Sequence, residues 1–208
     1  YWYASMAGSY CNQVHLFQKI EPQIIIKSGS DPEINKRRQQ DLDEIASKCQ
    51  GVLYEDFIRP SHSVEVLGQK DAAWTAYVEP NFEKKVNAIL GLEDIFLISD
   101  AGGSSIVLNS PDGAYYEGTL IPHELMTISW SLVPCVDGLS CGKDHPYVKL
   151  QCATQGNCYD DLKSLLMNTY QGANFNSESS SQITALSNSI RDNIRNKNAA
   201  AFLPPPKK

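Results

Sequence analysis

Six cysteines carry the most chemical potential in this chain: Cys11, Cys49, Cys135, Cys141, Cys152 and Cys158. A thiolate can ligate zinc or attack a carbonyl, and two thiols can pair as a disulfide. Zinc would draw on the last four cysteines with His145. Common zinc sites place paired ligands a few residues apart. Here the spacing is Cys-x5-Cys-x10-Cys-x5-Cys, and only Cys141-x3-His145 comes close. An even number of cysteines with four clustered suits a disulfide framework, the habit of exported proteins. One reading joins Cys11 to Cys49, tying the N-terminal segment to a helix end. The other four then form a local knot, with nested and sequential bridges equally allowed. No metal and no cofactor are expected.

The remaining reactive residues do not assemble into a known motif. The histidines are His15, His62, His123 and His145. His123-Glu124 would begin a zinc-protease motif, but the second ligand position holds Thr127. Ser61-His62-Ser63 pairs a nucleophile with a base, yet no Gly-x-Ser-x-Gly elbow occurs. Gly102-Gly103-Ser104-Ser105 lacks the lysine of a phosphate-binding loop, and Asp100 and Asp112 lack a calcium loop's repeated acids. These residues read as turns. The aromatic residues Trp2, Trp74, Trp130, Tyr115 and Tyr116 are mostly expected in the core. Trp74, Phe96 and Tyr115 are the candidates for lining a small-ligand pocket.

Residues that could act must be positioned by a fold. The 208 residues suffice for a buried core, and 42% hydrophobic with 20% charged residues is globular, not disordered. The net charge of −6 argues against a nucleic-acid partner, which needs a basic face. No apolar run reaches the ~20 residues of a membrane span. The aromatic start, Tyr1-Trp2-Tyr3, without Met, reads as a processed product or an excised piece. No Asn-x-Ser/Thr acceptor occurs among the asparagines, which leans toward a bacterial envelope. The expected location is extracytoplasmic: periplasmic, secreted or at the cell surface.

The clearest helix is expected over 31–49. Ser30 or Asp31 caps it, Pro32 opens it, and Ile34, Leu42, Ile45, Ala46 and Cys49 share a face. Lys36, Arg37, Arg38, Gln39 and Gln40 read as its solvated face. Strands are expected over 52–58 and 63–67, then a helix over 80–90 ended by Gly91. A β-meander follows, with strands at 94–99, 105–109, 114–120 and 127–133. Turns at 100–103 and 111–113 connect its first three strands. Helices return at 160–170 and 177–197. The second carries a narrow stripe of Ile183, Leu186, Ile190 and Ile194, suited to packing on its own domain or on a partner. The tail, Pro204-Pro205-Pro206-Lys207-Lys208, favours an extended segment.

The element order predicts an α+β fold: an N-terminal helix, an antiparallel sheet, a disulfide-rich loop and C-terminal helices. The expected division is a disulfide-stabilised α+β domain at 1–172, an amphipathic helix at 173–200 and a proline-rich tail at 201–208. Residues 31–133 resemble the extracytoplasmic sensor domains called Cache or PAS-like, through a leading helix and the Ile95-Phe96-Leu97-Ile98-Ser99-Asp100-Ala101-Gly102 segment. That resemblance implies a sheet that binds a small ligand. The leading functional expectation is a non-enzymatic interaction module of an envelope, secretion or surface assembly. A small-ligand sensor and a hydrolase with a spatially assembled triad are the alternatives.

Overall fold

The computed structural model describes residues 11–14, 31–51, 72–107, 113–170 and 175–205. The strands expected at 52–58 and 63–67, the residues Trp2, His15, His62 and Asp112, and the terminal lysines lie outside these. The described residues are mostly helical, with one two-stranded antiparallel sheet, which fits the broad α+β class. The chain divides into two compact units, Tyr1–Ser63 with Ser140–Leu165, and Val64–Leu139 with Leu166–Lys208.

In the first unit, α1 (Pro32–Lys48) starts as its residues dictate. The Asp31 carboxylate accepts the Glu33 N–H at 2.8 Å, and Pro32 sits where no donor is needed. Its Leu42, Ile45 and Cys49 pack with Val14, and with Leu150 and Ala153 of α6 (Pro146–Gln155). Cys11–Cys49 and Cys152–Cys158 are disulfides, and Cys135 and Cys141 are disulfide-bonded too. The bridges close loops of very different size, spanning 38 and 6 residues. On chain entropy alone, the first contributes about 4 kcal/mol and the second about 2. The bond between residues far apart in sequence therefore does more to hold this small core.

The second unit corrects the β-meander. Residues 95–105 form a helix, α3 (Ile95–Ser105), which follows α2 (Phe82–Leu90). The Asp94 carboxylate accepts the Phe96 and Leu97 N–H groups and starts it. A continuous apolar run is ambiguous between strand and helix. The deciding period was carried by small residues: Ile98, Ala101, Gly102 and Ser105 are buried three or four apart. Gly102-Gly103 is not a turn. A Cβ at Gly102 would stand 2.4 Å from the Trp130 ring, so the glycine lets helix and indole meet. With it goes the Cache-like strand, whose defining segment is this helix.

Likewise, 127–133 is not a strand but parts of α4 (His123–Ser131) and α5 (Val133–Val136). Ser129 and Ser131 donate to the carbonyls of Leu125 and Thr127, four residues back. What read as a third strand, 114–120, is a hairpin of β1 (Ala114–Tyr116) and β2 (Thr119–Ile121). Glu117 and Gly118 form its two-residue turn with φ of 47° and 77°, the conformation hairpins require. After α7 (Leu162–Thr169), the long α8 (Ser177–Arg195) begins with an Asn176–Ser179 capping box. Tyr116 donates to Ser189 Oγ at 2.6 Å and accepts from Asn193 at 2.7 Å, locking the hairpin to α8. A 3-10 turn at Ala199–Phe202 brings Phe202 to 5.3 Å from Trp130, ring to ring.

Gly102→Ala should lose about 1–3 kcal/mol, the usual cost of overpacking a core. Gly103→Ala, whose Cβ would meet nothing closer than 3.7 Å, should be neutral or gain up to about 1 kcal/mol from helix propensity. Urea unfolding of both variants checks this; equal effects would show that the indole does not press on position 102.

Candidate functional site

Two helices of the first unit, α1 and α6, border a cleft of about 700 Å³. Its lining is mostly charged and polar. On α1, the apolar spacing of Ile34 and Ile45 continues through Arg38 and Asp41. These two polar residues occupy core positions and are only 7% and 9% exposed. Of the run expected as a solvated face, Lys36, Gln39 and Gln40 are exposed, while Arg37 is half-buried and Arg38 buried. Arg38 is buried, and the Arg37 guanidinium reaches the Tyr159 carbonyl at 2.5 Å and Asp160 at 3.4 Å.

Around Asp41 the charges are partly paired. Lys149, on α6 and buried, holds Glu44 at 2.5 Å and Asp144 at 3.1 Å. Lys48 holds the other oxygen of Glu44 at 2.6 Å. Hydrogen bonds from Lys149 and then Lys48 pull the Glu44 pKa down to about 2. Burial would lower Lys149, but its bonds to Glu44 and Asp144 outweigh burial and hold the ammonium above its ordinary value. Asp41 moves the other way. Burial raises its carboxyl above the usual range, although Arg37 and Lys149 oppose the shift. Asp41 Oδ2 accepts no hydrogen bond from the described residues, and Arg37 Nε stands 3.8 Å away. That separation exceeds a hydrogen bond.

The residues singled out from sequence fall elsewhere. All six cysteines are in disulfides, so none offers zinc a thiolate. The bridges in the cluster are sequential where Cys152 meets Cys158. His145 caps α6: its Nδ1 accepts the Tyr147 N–H at 3.3 Å, and burial lowers its pKa. His123 begins α4 rather than forming an isolated turn. Ile183, Ile190 and Ile194 are at most 4% exposed; Ile190 and Ile194 belong to the core of the second unit, with Leu186 packed against it. This stripe is spent on the chain's own core. The structure does not bring Trp74, Phe96 and Tyr115 into the charged cleft. Trp74 is 65% exposed, on a helical turn at 72–78, and stacks on Tyr77 with centroids 5.8 Å apart. Phe96 and Tyr115 are half-buried on α3 and β1.

That turn was missed in the sequence. Ala73 and Ala76 face the core, while Trp74, Tyr77 and Val78 remain exposed. An apolar spacing of three and four residues was the available signal. A second cleft of about 370 Å³ lies between α2, α3 and α8, lined by Leu92, Ile95 and Ile194 with Arg195 paired to Asp137 at 2.5 Å. No family model matches the chain, and no curated protein or solved structure shows significant similarity to it.

Because the folded pKa of Glu44 lies below its ordinary 4.5, its contribution to stability is present above pH 4.5. It is lost as pH falls toward about 2. Asp41, with a raised pKa, contributes oppositely, favouring the fold at lower pH. Urea titrations from pH 6 to 2 should therefore show Glu44→Gln losing less stability than wild type across that window. Parallel curves would remove Glu44 from the acid response.

Proposed function

We propose that this chain is an extracytoplasmic interaction module that recognises a protein partner, within a larger envelope, secretion or surface assembly. The observation carrying this reading is the exposed stacked pair Trp74–Tyr77 beside exposed Val78. Large aromatics are commonly withdrawn from water, and a cluster of them left outside is the signature of an interface centre. Trp and Tyr bury much area at low entropic cost, which is why they dominate binding energies. The Ala73 and Ala76 side of the same turn is anchored in the core, so the aromatic face is presented on packed structure.

Cysteine chemistry supports the proposed compartment. Every cysteine is in a disulfide, a state that persists where thiols are not continuously reduced. Protein taken from its native source and never reduced should weigh six hydrogens less than the reduced chain, with no thiol open to alkylation after denaturation. Six alkylatable thiols would place it in a reducing compartment.

The partner reading is tested by a photo-crosslinking residue at position 77, with the same residue at exposed position 178 as control. Covalent capture of one protein from 77 and not from 178, lost when Trp74→Ala is added, is the expected result. Identical products from both positions, or none from 77, would remove the aromatic face as an interface.

A further inference from the structure

The aromatic face at 72–78 has a matching segment on the same chain. Trp74 is 65% exposed and Tyr77 49%, and Val78 beside them is 52% exposed. Aromatic-lined surfaces are what polyproline II segments dock on, because such segments are already extended and lose little freedom on binding. The chain carries one. Phe202 is fully buried against Trp130 and Tyr116 and fixes the base of the tail. Leu203 then turns extended, with φ −95° and ψ 146°. That is the region to which a proline confines the residue before it, and it lies close to polyproline II geometry. Pro204 and Pro205 are exposed, and Pro206, Lys207 and Lys208 follow in sequence.

The charges agree. Glu79 directly follows Val78, two lysines follow the prolines, and the chain as a whole carries a net charge of −6. Within one chain neither surface covers the other, since the aromatic pair and the two described prolines are all left outside. Two such surfaces on one chain meet when two chains do. We propose that the 203–206 segment of one copy docks on the Trp74–Tyr77 face of a second copy. This rests on the reading of that face as an interface, and it names the partner as the chain itself.

Two disulfide-bonded full chains separate the halves of the contact. One carries Trp74→Ala and keeps its tail; the other carries Pro204→Ser and Pro205→Ser and keeps its face. All three positions are exposed, so both variants should melt with the wild type. In sedimentation velocity over a concentration series the wild type should associate. Each variant alone should associate about tenfold more weakly or less, the loss of one anchor at an interface centre. A mixture of the two, each carrying a different label, should form mixed pairs, because one supplies a tail and the other a face. The peptide acetyl-Leu-Pro-Pro-Pro-Lys-Lys-amide should bind saturably to the proline variant and not to Trp74→Ala. No peptide binding, or wild-type association that neither variant weakens, overturns the proposal. Peptide binding with a wild type that stays monomeric also overturns it, by assigning the tail to its own chain. Crosslinking from position 77 separates this proposal from the reading beneath it. Capture of a different protein without peptide binding removes only the second copy, and capture of nothing removes both.

Discussion

The Trp130 indole occupies the space that a side chain at position 102 would need, and the second unit is organised around that substitution of ring for side chain. Gly102 lets α3 approach α4 closely, and Ser99 then donates to the Trp130 carbonyl at 2.6 Å. Phe202 meets the same indole and also Tyr116, at 5.4 Å. Tyr116 in turn is held by Ser189 and Asn193 of α8. One close approach thus links five elements spread from residue 95 to residue 202. Tight packing makes such a contact unforgiving, because interiors hold few voids into which a displaced ring could move.

The first unit solves the same problem with different materials. Its apolar core is small, and a disulfide spanning 38 residues closes it. Charge takes positions that hydrophobic side chains would otherwise fill. Lys149 is tolerated at 7% exposure because two carboxylates meet it. Asp41 is tolerated less well, and its raised pKa records the cost of removing it from water.

The two units differ in what their packing leaves outside the core. At 72–78 the aromatics Trp74 and Tyr77 stay exposed on a turn whose alanines pack inward, and in the first unit charged residues line the α1–α6 cleft.

Much of this was written in local signals. Asp31-Pro32 starts α1, Gly91 ends α2, and the Ile183–Ile194 stripe forms α8, because caps and strong periodicity act within a few residues. The cysteine count pointed to disulfides for a similar reason, since it depends on composition alone. The 94–105 segment and the cleft were not legible in this way. Gly102 reads as a turn until Trp130 is placed on it, and Arg38 reads as solvated although the fold buries it. Both the helical state of a glycine pair and the burial of a charge are decided by contacts from residues far along the chain. The sequence by itself determined the termini of the strongest helices and the oxidised cysteines. Only the tertiary structure decided which small and charged residues were core, because their own chemistry is indifferent to burial until a neighbour supplies the ring or the counter-charge.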